Sequence, residues 1–246
     1  MFSFFKRKHL DPFPFQILKT DYHSHIIPGI DDGSPDAETS IMLIKGLMDL
    51  GYKNFVGTPH VMEDIWQNNT ETINAAHQIL QQSLQDNGID KNIRQGAEYL
   101  VDGNFEQLLA DKKKLLTIKD NWVLIEISFI QPPKQLHDII FEMQMQGYQP
   151  VFAHPERYNY YQTKKDELQK VKTAGCLFQS NLLSFLGYYG PDVLKLSEWL
   201  IAQGMTDILG TDLHHENHLN ALRNLKLTPA LKNLLDSNSF KSLISA

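Results

Sequence analysis

Seven apolar runs punctuate this chain, and each ends on a side chain with a polar, ligand-type group. The end residues are His25, His60, Glu98, Glu126, His154, Asn181 and Asp212, separated by 27 to 38 residues. Amphipathic segments fill the intervals. Ile41, Ile44 and Leu47 mark one apolar stripe at helical spacing, and Leu136, Ile139, Ile140 and Met143 mark another. A βα unit takes roughly 30 residues. Seven such units predict a parallel α/β barrel of the TIM-like kind, with its site at the C-terminal ends of the strands. An open doubly wound sheet would draw its ligands from fewer strands, at one switch point. No low-complexity linker divides the 246 residues. The expected organisation is a flexible tail over residues 1–14 and a single domain over 15–246.

The first run leads into Asp21-Tyr22-His23-Ser24-His25-Ile26-Ile27-Pro28-Gly29-Ile30-Asp31-Asp32-Gly33. Residues 15–20 read as a strand, so the two histidines fall at its end. Side chains at i and i+2 of a strand share a face, so His23 and His25 can reach one ion together. The following turn returns two carboxylates past the same point; Asp32 is the expected ligand, with Asp31 as the alternative or a supporting group. Ser34-Pro35 should start the first helix through a capping hydroxyl and a proline at the first helical position.

Neutral imidazoles and carboxylates hold first-row divalent metals. The polar set is His23, His25, Asp32, His60, Glu98, Glu126, His154, Asp212 and His214, too many ligands for one ion and enough for two or three. Glu126 stands within Trp122-Val123-Leu124-Ile125-Glu126-Ile127, where an unpaired buried carboxylate would be very costly. Several metal ions together suit hydrolysis, because they activate water and neutralise charge on a phosphate or carbonyl oxygen. Arg157, three residues after His154, favours phosphate, since a guanidinium grips it with two parallel hydrogen bonds. A surface salt bridge to Glu156 or a neighbour is its competing use. His215 and His218 are supporting or substrate-contacting groups, and Tyr158, Tyr160 and Tyr161 either wall the pocket or pack behind it.

Charge and composition exclude other classes. A net charge of −6 argues against nucleic acid as partner. No stretch approaches a membrane span. The single cysteine, Cys176, permits no intramolecular disulfide, in keeping with the cytoplasm. The N-terminal Lys6-Arg7-Lys8 run also suits weak contact with the inner face of an anionic membrane.

The motifs DYHSHIIPGIDDG, TPH, GAEY, LIEIS, AHPERY and GTDLH, in this order, resemble the polymerase-and-histidinol-phosphatase (PHP) superfamily. More narrowly they are similar to the bacterial manganese-dependent protein-tyrosine phosphatases of capsule and exopolysaccharide gene clusters. The resemblance implies a distorted (β/α)7 barrel, the PHP fold, with a trinuclear centre held by the nine residues named above. It implies Mn²⁺, with Fe or Zn as alternatives, and a phosphotyrosine protein as substrate, in particular the C-terminal tail of a bacterial tyrosine kinase. A hydroxide held by the ions would attack phosphorus in line. Arg157 and Asp212 are the expected catalytic residues, and Arg157, His215 and His218 the expected substrate contacts. The sequence departs from the family pattern in two places. His60 is followed by Val61-Met62 rather than a second histidine, and the nearest arginine after the last motif is Arg223, so His215 or His218 would take part of an arginine's role. A small-molecule phosphatase, such as one for histidinol phosphate, and a non-catalytic metal-binding interaction module are the alternatives.

Overall fold

A computed structural model describes residues 10–245, with side chains through residue 243. Among the described residues there are nine parallel strand segments, with helices in most of the intervals between them. They are β1 (Thr20–Ser24), β2 (Asn54–Gly57), β3 (His60–Val61), β4 (Arg94–Gln95), β5 (Glu98–Leu100), β6 (Trp122–Glu126), β7 (Gln149–Ala153), β8 (Leu177–Asn181) and β9 (Ile208–Gly210). The principal helices are α1 (Ala37–Leu50), α2 (Thr70–Asp86), α3 (Gly103–Ala110), α4 (Leu136–Met145), α5 (Lys165–Thr173) and α6 (Pro191–Ala202). Three short helices follow β9: α7 (Glu216–Leu222), α8 (Pro229–Asp236) and α9 (Asn238–Ser245). Among the described residues no helix is long and apolar enough to cross a membrane.

The strands form two parallel sheets, β1-β2-β4 and β3-β5-β6-β7-β8-β9. Each of two chain segments contributes to both. β2 continues through Thr58-Pro59 into β3, and β4 through Gly96-Ala97 into β5. Proline has no N–H to place in a ladder, so the ladder breaks there. Backbone bonds carry across the break: Gly96 N donates to Gly57 O at 2.8 Å and Glu98 N to Pro59 O at 3.0 Å. At the other side, Asp212 N donates to His23 O at 2.8 Å and His25 N to Leu213 O at 2.9 Å, with a parallel bridge between Ser24 and Leu213. The end of β9 thus lies against the end of β1.

The central strands are buried on both faces, as parallel sheets covered by helices are. In β6, Val123 and Ile125 belong to the large core that includes Ile139, Ile140 and Met143 of α4. Leu124 instead joins Val56, Val151, Ala153 and Ile208 in a separate apolar cluster. The pleat therefore brings Glu126, two residues beyond Leu124, to the Leu124 face at the last position of the strand.

Two local expectations are corrected. Residues 15–17 form a 3₁₀ turn, not a strand, and β1 starts only at Thr20, after Lys19 in the left-handed region (φ 59°). Pro12 and Pro14 leave few donors for a ladder, while Ile17 N and Leu18 N bond back to Pro14 O and Phe15 O. Helix α1 is capped by Asp36, whose carboxylate accepts from Thr39 N at 2.8 Å. Ser34 is not the cap, because its hydroxyl donates to Asp36 O and accepts from Ser40 Oγ. Of the tail expected over 1–14, residues 1–9 lie outside the described residues. Residues 12–13 are docked: Pro12 bridges Lys226, and buried Phe13 donates its N–H to Leu225 O at 3.0 Å.

Candidate metal centre

The strand register delivers the polar set to one place. His60 pairs with Glu98, Leu100 with Glu126, and Asn181 with Gly210 across neighbouring strands. His154 follows β7 directly and Asp212 stands two residues after β9, and both hold the left-handed backbone conformation, at φ 35° and 51°. That region costs a non-glycine residue about 1–3 kcal/mol. It turns each side chain out of the strand line and into the cluster.

Three groups of ligand atoms result, each within 4.8 Å of one another: His25, Asp32, His60 and His214; His23, His25, Glu98 and Asp212; and His60, Glu98 and Glu126. His25, His60 and Glu98 are each shared by two groups. Glu98 Oε2 sits 3.2 Å from His23 Nε2, 3.3 Å from His25 Nε2 and 3.2 Å from His60 Nδ1. His154 Nε2 approaches Glu98 Oε1 at 3.0 Å and joins the cluster from the far side. All nine expected ligands are therefore brought together.

The donor set fits divalent cations. His23 Nε2 and His25 Nε2 face each other at 3.2 Å, an arrangement that requires a proton or a cation between two lone pairs. His60 Nδ1 and Glu126 Oε1 approach to 2.8 Å, yet both atoms, with Glu98 Oε2, are buried without a hydrogen-bond partner among the described residues. Orphaned buried polar atoms are costly, and these converge on common points. The titration behaviour agrees. Burial opposes protonation of His23, but the Glu98 and Asp212 carboxylates overcome it and carry the imidazole up to about 9. Positive charge is thus strongly favoured here, and metal ions compete with protons for the same atoms.

Further side chains set the ligands' orientation. Asp31 Oδ2 pairs with His25 Nδ1 at 2.7 Å and accepts from His60 N at 3.1 Å, leaving His25 Nε2 directed at the cluster. Both Asp31 oxygens are thus engaged, Oδ1 accepting from Gly33 N at 2.9 Å, while the half-exposed Asp32 carboxylate stands 3.5 Å from His60 Nε2 and His214 Nε2. Gln179 Oε1 meets His23 Nδ1 at 2.6 Å, its amide donates to Asn181 Oδ1 at 2.9 Å, and Asn181 Nδ2 donates to Asp212 Oδ2 at 2.6 Å. Partners of this kind fix the tautomer and rotation of a ligand. Gly210 leaves room for the chain of amides: a Cβ there would stand 2.6 Å from Gln179 Nε2. Gln179 and Asn181 lie on β8, and only Asn181 was marked by its position at a strand end. Gln179 carried no sequence signal beyond being an amide inside an apolar run.

A cavity of about 530 Å³ opens over the cluster. Arg157 lies on its wall, with Nη1 2.8 Å from Asp212 Oδ2 and the guanidinium carbon 5.2 Å from the Phe129 ring centre and 4.5 Å from that of Tyr189. The competing pairing with Glu156 does not occur. Glu156 is fully buried and accepts instead from Asn181 N at 2.8 Å and Ser184 Oγ at 2.7 Å. Tyr158 and Tyr161 are buried and pack behind the site; Tyr160 donates to Ser128 O. The aromatic wall is made by Trp66, Phe129 and Tyr189, with Met62 and Ile65 beside them. Phe129, Ile65 and Ile130 are exposed around the mouth.

His215 and His218 also line the cavity. His218 Nδ1 accepts from His214 N at 3.3 Å, and His215 Nδ1 caps α7 by accepting from His218 N at 3.4 Å. Both rings therefore carry their proton on Nε2. Burial, reinforced by His215 and His214, pulls His218 down to about 4, so it is a neutral donor at pH 7. Arg223 bonds Asn220 and lines a different cavity, between α1 and α7.

Fold and site together define an α/β protein with a candidate multi-metal centre at the C-terminal ends of parallel strands. Residues 19–234 match the family described as capsular polysaccharide synthesis, CpsB/CapC, and the chain belongs to that family. It is 29% identical over 196 residues to the tyrosine-protein phosphatase YwqE of Bacillus subtilis (strain 168), covering 79% of this chain and 77% of the relative. It is 27% identical over 203 residues to the tyrosine-protein phosphatase CpsB of Streptococcus pneumoniae, covering 79% of this chain and 82% of the relative. A solved structure from work on YwqE and CpsB, described as unique metal-dependent tyrosine phosphatases, superposes with a TM-score of 0.77 at 26% identity. That match covers 92% of this chain and 90% of the other.

Proposed function

We propose that this protein is a metal-dependent phosphomonoesterase that removes phosphate from tyrosine in proteins, acting in polysaccharide production. The observation that carries this is the convergence of eight imidazole and carboxylate side chains into three overlapping ligand groups, with His154 against Glu98, beside an arginine. The relatives named as tyrosine phosphatases supply the substrate class.

The site belongs to a distorted seven-stranded (β/α)7 barrel of the PHP type. The bonds from Asp212 N and His25 N that tie β9's end to β1, and those across the β2–β3 and β4–β5 breaks, support a single ring of strands. Two or three divalent ions would occupy the cluster, with manganese the first choice and iron or zinc the alternatives. Three ligand groups support the higher number. His23, His25, Asp32, His60, Glu98, Glu126, His154, Asp212 and His214 would hold them. When bound, the ions supply Lewis acidity to the phosphate and activate water.

The chain's own groups bind and orient. Arg157 is already fixed by Asp212 below and by Phe129 and Tyr189 on its faces, so it meets a phosphate with little ordering cost. Asp212 serves both as ligand and as the anchor of that arginine. His215 and His218, with Nε2–H directed as neutral donors, take the place of a second basic side chain. The aromatic and apolar rim suits the ring of a phosphotyrosine and the polypeptide around it. The proposed partner is the C-terminal tail of a bacterial tyrosine kinase, met in the cytoplasm near the membrane's inner face.

Comparison of a phosphotyrosine peptide, a phosphoserine peptide and histidinol phosphate with the manganese-loaded protein tests the assignment. The phosphotyrosine peptide should give the highest kcat/KM. Preference for histidinol phosphate would transfer the protein to small-molecule chemistry, and no turnover of any of the three would leave a metal-binding interaction module.

A further inference from the structure

We infer that the Tyr189 hydroxyl is a substrate-binding group, donating a hydrogen bond to an oxygen of the phosphate that Arg157 holds. The inference rests on the phosphatase reading and adds a residue to it. Tyr189 follows β8 in the connection to α6, between Gly187 and Gly190, both in the left-handed region at φ 75° and 102°. Those two positions turn the chain around Tyr188 and Tyr189, of which Tyr189 lines the cavity.

The hydroxyl is buried and has no hydrogen-bond partner among the described residues. Asn181 Nδ2 adjoins that hydroxyl and donates to Asp212 Oδ2 at 2.6 Å. Other tyrosines around the site are satisfied: Tyr158 Oη accepts from Ile127 N at 3.1 Å, and Tyr160 Oη donates to Ser128 O at 2.9 Å. A buried hydroxyl left unpaired is costly, and removing it is close to neutral when no partner is lost. Its retention inside the cavity calls for an acceptor that arrives with the ligand. The ring centre lies 4.5 Å from the Arg157 guanidinium carbon, so an anion gripped by that arginine would lie beside the same tyrosine. Tyr188 packs edge-on against both Tyr189 and His218, which holds the ring in place.

The test is Tyr189→Phe, which keeps the ring over Arg157 and removes only the oxygen. Binding of inorganic phosphate to the manganese-loaded parent and variant is measured by calorimetry, beside metal content, thermal midpoint and kcat/KM on a phosphotyrosine peptide. The expected result is a dissociation constant for phosphate raised about tenfold to a hundredfold. Metal content should be unchanged and the midpoint unchanged or higher. The kcat/KM should fall by a similar factor. Equal phosphate affinity in parent and variant overturns the inference, as does a lowered midpoint with unchanged affinity, which marks a structural hydroxyl. Absence of turnover by the parent is a separate outcome: it removes the phosphatase reading, while the phosphate titration still decides the part played by Tyr189.

Discussion

Replacing Arg157 with alanine separates binding of the phosphate from binding of the metals. The guanidinium makes one charge-assisted bond, to Asp212 Oδ2 at 2.8 Å, and is gripped between two aromatic faces. It is not a ligand. Hydrogen bonds to charged groups contribute about 1.5–3 kcal/mol each, so a two-pronged grip on phosphate has a ceiling of about 6 kcal/mol. The side chain is 26% exposed and exchanges one anionic partner for another, so that ceiling is not reached. A loss of about 2–4 kcal/mol is the reasonable expectation, or roughly 30-fold to 1000-fold in kcat/KM. Asp212 keeps the Asn181 amide at 2.6 Å, which holds its carboxylate in place after the arginine is gone. Steady-state kinetics on a phosphotyrosine peptide, with metal content measured on the same preparation, reads both effects. Arg157→Ala should lose activity and keep its metals; Arg157→Lys should recover part of the loss, since charge remains but the planar fork does not. Activity within threefold of the parent, or loss of metal along with activity, would refute the reasoning.

Other substitutions probe the layers below. Glu126→Ala should abolish metal-dependent turnover and lower the number of bound ions, read by elemental analysis, because its Oε1 is one of the orphaned atoms facing His60. Gln179→Leu should weaken metal affinity about 10-fold to 100-fold in a competitive chelator titration, since His23 loses the 2.6 Å bond that sets its tautomer. Gly210→Ala should lower stability by about 1–3 kcal/mol in denaturant unfolding and weaken metal binding together, because the new Cβ meets Gln179 Nε2 at 2.6 Å.

What the sequence shows of this site depends on which residue is asked. Glu126 stands out because a carboxylate in an apolar strand has so few acceptable uses, and the structure leaves its Oε1 unpaired beside the other ligand atoms. The strand-end histidines are legible through their spacing. Asp31 and Asp32, adjacent in sequence, separate only in three dimensions, where one is bonded to His25 and the other stands at the mouth. Gln179 acquires its part through register with β9 and contact with β1, which no local pattern encodes. The aromatic wall shows the same limit. Tyr158 and Tyr161 adjoin Arg157 in sequence yet are buried behind it, while Phe129 and Tyr189 arrive from the connections after β6 and β8. The strand expected over residues 15–20 starts only at Thr20 because Phe15 and Leu18 dock the N-terminal segment into the core rather than extend a ladder.

The most direct measurement is the number of divalent ions bound per chain after chelator stripping and reconstitution with Mn²⁺, followed alongside phosphotyrosine hydrolysis. Two or three ions per chain, with activity appearing as they bind and lost again on chelation, is the predicted result. A chain that binds no ion, or that hydrolyses the peptide equally well in excess chelator, would contradict the proposed metal centre.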